Sequence, residues 1–292
     1  MPEPTLIRDN GPVNHADHDT VGRVSGADRP GSPSGNGQRG RDRDGRGSHL
    51  YPRVTSFRSR RGTLTDAQQG AWDRQWERLG SEVAPERHLD TDAPRHLDTD
   101  APRHLDTDAW FGRSAPLVLE IGSGTGTATS AMAQAEPELD LLAVEVYRPG
   151  IAQLLQQIER AELGNIRILR GDAVVVLEEM LAPQSLTAVR VYFPDPWPKA
   201  RHHKRRLLQS GTFALVADRL KPGGLLHIAT DHAEYAEHIS ETGDAEPALR
   251  RLDWHDPGMK LPVSVQRPVT KFENKAHDVG REINDMIWIK PS

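Results

Sequence analysis

From Trp110 onward the sequence alternates between short apolar runs and stretches of helical spacing, and that alternation restricts the chain to very few architectures. The strand-like runs are Pro116–Ile121, Leu139–Val146, Ile166–Arg170, Ala188–Phe193 and Leu225–Thr230. Between them Ile151, Leu154, Leu155 and Ile158 recur with the period of an amphipathic helix, and Pro149 stands where a helix starts. A second helix is predicted over Lys204–Leu220, stopped by Lys221-Pro-Gly-Gly224. Strands apolar along their whole length are covered on both faces, as in a parallel sheet between helical layers. The periodicity therefore predicts a doubly wound α/β fold, and the roughly 175 residues from Pro116 to Lys290 suffice to bury its core.

The first hundred residues are different material and lower the hydrophobic share of the whole chain to 36%. Residues 1–50 are rich in Gly, Arg, Asp, Ser and Pro and bury too little surface to offset their ordering entropy, so a disordered tail is expected there. Its Arg39, Arg41, Arg43 and Arg46 read as a solvated stretch rather than an RNA contact. Residues 51–86 form an amphipathic extension: Thr65-Asp-Ala-Gln68 is a capping box, followed by Trp72, Trp76 and Leu79 at helical spacing, which predicts a short helix docked through its tryptophans. Residues 87–109 repeat Arg-His-Leu-Asp-Thr-Asp-Ala-Pro from Arg87 and Arg95, with a third copy from Arg103 that lacks the final Pro. His88, His96 and His104 suggest metal ligands at first sight, but a period of eight with proline suits a replicated linker better than a site. Residues 110–292 remain as the α/β domain.

The chain contains no cysteine, which excludes disulfides, thiolate metal sites and cysteine nucleophiles. Its N-terminus is polar and no run of ~18 apolar residues occurs, so a cytoplasmic protein without a membrane partner is expected. The net charge of −5 does not by itself point to nucleic acid, but a local basic cluster creates its own field over about a Debye length.

A glycine-rich turn, Gly122-Ser-Gly-Thr-Gly126, follows the first strand directly. Glycines there let the backbone approach a ligand and present N–H groups at a helix start, at the sheet edge where open α/β proteins bind ligands. Dinucleotide turns read G-x-G-x-x-G, whereas the spacing here is G-x-G-x-G with Thr127 next. Glu120, just before the turn, would repel a pyrophosphate but suits the ammonium or sulfonium of S-adenosylmethionine. S-adenosylmethionine is therefore preferred over a nicotinamide dinucleotide. Glu145 ends the second strand, where a carboxylate can accept both ribose hydroxyls, and Asp172 follows the third, within reach of an adenine amine. Either acid alone reads equally well as a helix cap or a surface charge; their succession at strand ends favours a nucleoside site.

The fourth strand runs into Tyr192-Phe-Pro-Asp-Pro-Trp-Pro-Lys199, where three prolines stiffen the loop and hold Asp195 and Trp197. An aromatic ring beside a carboxylate can stack on a base and bond its edge. Lys199, Arg201, Lys204, Arg205 and Arg206 follow as a basic run where a phosphate backbone would lie, and Arg58, Arg60 and Arg61 are candidates to join it from upstream.

Glu120-Ile-Gly-Ser-Gly-Thr-Gly126, Tyr192-Phe-Pro-Asp-Pro-Trp-Pro-Lys199, Ala229-Thr-Asp231 and Val269-Thr-Lys-Phe-Glu273 stand in the order found in bacterial tRNA (guanine-N7)-methyltransferases, and from Ser56 to about Lys290 the chain resembles that family. The resemblance implies a Rossmann-like class I methyltransferase with a mostly parallel, seven-stranded sheet. It implies transfer of methyl from S-adenosylmethionine to N7 of a guanine in the tRNA variable loop. It implies further that Glu120, Gly122, Gly124, Glu145, Asp172 and Asp195 line the cofactor site, with Asp195 catalytic, and that Lys199, Asp231, Thr270, Lys271, Phe272 and Glu273 contact guanosine or tRNA. No metal is implied, and a monomer or a homodimer is expected. The chain departs from the family pattern at Ala276, where glycine is common, and in the octapeptide insertion. Other readings are a class I methyltransferase for a DNA or protein amine, a non-catalytic tRNA-binding protein and, last, a dinucleotide oxidoreductase.

Overall fold

Every residue of Leu117–Ile121 is buried, which places this strand inside a sheet rather than at its edge. In the computed structural model, which describes residues 62–83, 104–254, 260–269, 273 and 280–292, it is the second of eight strands. The described residues all belong to one unit, Pro52–Ser292. The expected tail, Arg58, Arg60, Arg61, His88, His96 and Thr270 to Phe272 lie outside them.

The strands are β1 (Gly80–Glu82), β2 (Leu117–Ile121), β3 (Asp140–Glu145), β4 (Ile166–Arg170), β5 (Leu186–Tyr192), β6 (Leu220–Thr230), β7 (Arg250–Arg251) and β8 (Asn284–Ile289). The helices are α1 (Asp66–Leu79), α2 (Thr107–Phe111), α3 (Thr127–Ala135), α4 (Arg148–Arg160), α5 (Ala173–Val175), α6 (Ser210–Arg219) and α7 (Ala233–Asp244). A π-helical turn, Val176–Met180, continues α5, and a 3-10 helix spans Ala200–Arg205. The order across the sheet is β1-β4-β3-β2-β5-β6-β8-β7, parallel except where β8 meets β6 and β7. From β2 the chain first winds outward through β3 and β4, then returns to lay β5 and β6 on the other side, so the topological switch lies between β2 and β5.

The doubly wound fold is as expected, but the strand count is eight rather than seven. The additional strand, β1, comes from the N-terminal extension and pairs in parallel with β4, Gly80 opposite Ile168. It satisfies backbone groups that an edge strand would otherwise expose. The extension reaches that edge because α1 packs on α4. Its capping box is formed, with Thr65 Oγ1 accepting from Gln68 N–H at 3.3 Å and Gln68 Oε1 accepting from Thr65 N–H at 3.0 Å. Trp72 and Trp76 stack at 4.2 Å, and Arg148 of α4 lies over Trp72.

The apolar core divides by strand parity. Val118, Leu141, Ala143, Ile168 and Ala188 pack with α1, α3 and α4 on one face. Leu119, Leu142, Leu169, Val189 and Ile228 pack with α6 and α7 on the other. Each fully buried leucine contributes about 1.5–3 kcal/mol relative to exposure.

Two expectations change. The helix predicted over Lys204–Leu220 is two pieces, because Arg206 adopts an extended conformation and turns its side chain inward. Its Nε donates to Pro196 O at 2.9 Å and its Nη2 to Glu234 at 3.1 Å. The third octapeptide copy is also not wholly linker: Asp106 caps α2 through Ala109 N–H, and Leu105 N–H donates to Met180 O.

Candidate active site

The residues singled out by sequence gather at the carboxyl ends of the parallel strands, in the order in which those strands lie. Asp172 follows β4, Glu145 ends β3, the glycine turn follows β2, Asp195 follows β5 and Asp231 follows β6. The row is centred on the switch between β2 and β5, where neighbouring connections leave in opposite directions and open a crevice.

The turn is built by three glycines with positive φ: Gly122 at 79°, Gly124 at 57° and Gly126 at 78°. No heavy atom lies within 4 Å of a Cβ placed on Gly122, so the space before the turn is open. Behind it there is none. A Cβ on Gly150 would lie 2.2 Å from Gly124 O, and one on Gly126 would lie 2.5 Å from Leu154 Cδ1.

Glu145 holds the turn from the side. Its Oε2 accepts from Gly124 N–H at 2.7 Å, and its Oε1 accepts from Val146 and Tyr147 N–H at 2.7 and 2.8 Å. Three of the roughly four acceptor positions of the carboxylate are thereby occupied, and the remaining one is on Oε2. The expectation that Glu145 takes both ribose hydroxyls narrows to one in this geometry. Asp172 is the cap of α5, its Oδ1 accepting from Val174 N–H at 2.9 Å.

Glu120 lies beneath the turn, on the α3–α4 face of the sheet. It is 2% exposed, and its Oε2 accepts no hydrogen bond from the described residues. Burial pushes its carboxyl up to about 7, with Arg190 and Thr129 partly offsetting that rise. An open glycine turn over an orphaned buried carboxylate oxygen, flanked by a backbone-anchored glutamate, fits a cationic nucleoside such as S-adenosylmethionine.

The Asp195 loop is pinned rather than free. Phe193 and Trp197 adopt φ of 52° and 44°, unusual for residues with a side chain and costing on the order of 1–3 kcal/mol each. Phe193 N–H donates to Ala229 O at 2.7 Å, and Arg206 holds Pro196 from below. Asp195 itself is exposed, as is Lys199, whose carbonyl opens the 3-10 helix by accepting from His202 N–H. The ring of Trp197 lies under the guanidinium of Arg205 at 3.9 Å. Arg206 leaves the expected basic run, because it is buried over the ring of Tyr235, whose hydroxyl burial pushes up to about 12.

Asp231 pairs with Arg281 at 2.6 Å, and Glu273 with Arg267 at 2.5 Å. Arg267 leads to residues that sequence reasoning missed. Its Nε and Nη2 donate to Asp285, which also meets His227 Nε2 at 2.9 Å, and His227 Nδ1 meets the Tyr192 hydroxyl at 3.2 Å. Burial holds the pKa of His227 below its ordinary value against the pull of Asp285. Burial works in the opposite sense on Arg267 and Asp285, but hydrogen bonding prevails: Asp285 and Glu273 raise Arg267, and His227 and Arg267 lower Asp285. Beside Glu120, fully buried Arg190 donates to Glu136 Oε2 at 2.7 Å and to Ser264 O. A polar row thus crosses the sheet interior from β2 to β8. Its one sequence signal is a charge inside an apolar run, Arg190 in Ala-Val-Arg-Val-Tyr and His227 in Leu-Leu-His-Ile-Ala.

Comparison with known proteins bears on the whole arrangement. The family described as "Putative methyltransferase" matches residues 114–286. A tRNA (guanine-N(7)-)-methyltransferase of Rhodococcus jostii is 61% identical over 290 residues, covering 99% of this chain and 99% of the relative. Proteins of the same description from Nocardia farcinica and Mycobacterium avium are 57% and 53% identical, covering 95% and 84% of this chain and 98% and 90% of the relatives.

Proposed function

The chain belongs to the tRNA (guanine-N(7)-)-methyltransferase family, and from that premise we propose which of its residues carry the reaction and where on tRNA it acts. The enzyme transfers a methyl group from S-adenosylmethionine to N7 of a guanine in tRNA. The guanine is that of the variable loop, and the reaction takes place in the cytoplasm.

Glu120, Gly122, Gly124, Glu145 and Asp172 hold the cofactor, and Asp195 borders it on the substrate side. The observation that carries this reading is the buried Oε2 of Glu120, unbonded among the described residues, beneath a glycine turn that Glu145 fastens through Gly124 N–H while Val146 and Tyr147 N–H hold its other oxygen. When bound, S-adenosylmethionine supplies a methyl carbon activated by a positively charged sulfur.

The protein's own task is to place guanine N7 in line with that carbon. N7 has an available lone pair at neutral pH, so no strong base is needed, and rate comes from positioning and electrostatics. Asp195 and Glu273 accept from guanine N1–H and the exocyclic amine and balance the positive charge that appears on the purine. Lys199, Asp231 and the Thr270–Glu273 segment, with Lys271 and Phe272, complete the guanosine and tRNA contacts. Arg201, Lys204 and Arg205 give the phosphate backbone a basic approach next to the loop. Residues 110–292 form the methyltransferase domain; 51–86 form its extension, 87–109 its insertion and 1–50 a tail.

The test incubates the protein with labelled S-adenosylmethionine and, separately, tRNA, DNA and protein, then digests the products to nucleosides and amino acids. N7-methylguanosine from the variable loop of tRNA alone is the expected result. Label in DNA or protein amines, or tRNA binding without transfer, overturns it.

A further inference from the structure

Arg267 precedes the Val269-Thr-Lys-Phe-Glu273 segment by two residues, and its guanidinium joins elements far apart in the chain. The side chain is 7% exposed. Its Nε and Nη2 donate to the two oxygens of Asp285 at 2.9 and 2.8 Å, which anchors the group to β8. Its Nη1 donates to Glu273 Oε2 at 2.5 Å. Its Cζ also lies 5.3 Å from the centre of the Phe193 ring.

Phe193 opens the loop that carries Asp195, two residues on, and its left-handed backbone is tied to β6 through Ala229 O. One planar group therefore bonds Glu273 and lies against the ring at the root of the Asp195 loop. The anchor is rigid, because the fork of a guanidinium meets both oxygens of a carboxylate in a single plane. Asp285 is itself held from the other side by His227. A lysine at this place would keep the charge but lose the fork and most of the contact with the ring.

We propose that Arg267 is a positioning residue for methyl transfer, setting the register of Glu273 relative to the Asp195 loop. It does not touch guanine; it acts through Glu273 and Phe193. The inference rests on the reading of Asp195 and Glu273 as guanine contacts. Displacing one of two groups that clamp a planar base by a fraction of an ångström lowers turnover more than it weakens tRNA binding, since much of the tRNA is gripped elsewhere.

The experiment measures kcat and KM for tRNA, calorimetric affinity for S-adenosylhomocysteine and thermal unfolding in the full chain. It compares the parent with Arg267→Lys, Glu273→Gln, their combination and Phe193→Leu. The expected result is a kcat about 10–100-fold lower in Arg267→Lys, with tRNA KM and S-adenosylhomocysteine affinity each within about threefold of the parent. The double variant is expected to be no slower than about twofold below the worse single one, because both changes disturb the same contact. Phe193→Leu lowers kcat in the same direction with S-adenosylhomocysteine binding kept, and it decides the matter should Arg267→Lys fail to fold.

Parental kcat in Arg267→Lys or in Phe193→Leu overturns the proposal. So does a loss of S-adenosylhomocysteine affinity as large as the loss of turnover, or effects of Arg267→Lys and Glu273→Gln that multiply. Parental turnover in Glu273→Gln removes the underlying reading of the site as well. Impaired Glu273→Gln beside unimpaired Arg267→Lys removes only the inference.

Discussion

Glu120 on β2 and Arg190 on β5 are in-register neighbours on adjacent parallel strands, both buried, yet the guanidinium bonds Glu136 and not Glu120. Arg190 thus moderates the charge of Glu120 through space without neutralising it by contact. Burial pushes the carboxyl up to about 7, and its Oε2 accepts no hydrogen bond from the described residues beneath the glycine turn.

That arrangement makes stability depend on pH. The carboxyl of Glu120 titrates at 4.5 in its ordinary state and at about 7 in the fold. Between those values the folded protein keeps a proton that the unfolded chain has released, so this group's contribution to stability falls as pH rises through the window and is lowest above it. Glu120→Gln is expected to match the parent near pH 4 to 5 and to exceed it by on the order of 1–3 kcal/mol at about pH 8. Denaturant unfolding at both pH values checks this. S-adenosylmethionine affinity of the parent should rise through about pH 7 while that of Glu120→Gln stays flat and weak; a flat profile in both refutes the assignment.

Glu145 fastens three backbone N–H groups, so its loss acts on the turn before it acts on any ligand. Glu145→Ala is expected to lower stability by about 1–3 kcal/mol and to weaken S-adenosylmethionine binding at least about tenfold. Thermal unfolding and calorimetry report the two effects separately. Unchanged affinity would show that the ribose is held elsewhere.

Gly150 is where α4 passes under the turn. Gly150→Ala brings a methyl group to 2.2 Å from Gly124 O, and backbone must move. The expected outcome is a folded protein with S-adenosylmethionine affinity reduced about tenfold or more. Gly211→Ala in α6 meets no atom within 4 Å and serves as the control, expected to be neutral or to stabilise by up to about 1 kcal/mol.

Asp195 is exposed. Asp195→Asn should therefore unfold at the parent's temperature and bind S-adenosylmethionine comparably, while methyl transfer to tRNA falls by about 100-fold. Incorporation of labelled methyl measures it. Undiminished turnover would strip Asp195 of the catalytic role.

Local order in this protein is written locally. The apolar runs became β2 to β5 with ends displaced by at most two residues, whereas β6 begins five residues before its run and takes in Lys221-Pro-Gly-Gly224; the Thr65 capping box and the Pro149 helix start formed where their chemistry predicts. The carboxylates at strand ends were likewise legible, because a parallel α/β sheet brings consecutive strand ends to one edge and so to one crevice. What no local pattern announces is a partnership between distant positions. Arg206 breaks a helix because Pro196 and Glu234 draw it inward; β1 exists because α1 carries the chain to an open edge of β4. The polar row Glu120, Arg190, His227, Asp285, Arg267 and Glu273 assembles from five separate stretches of chain: β2, β5, β6, β8 and the residues between β7 and β8. Arg190 and His227 carry a desolvation cost in their apolar runs; strand register and the return of the 260–269 segment supply Glu136, Ser264, Tyr192 and Asp285 as their partners, and those are properties of the folded sheet.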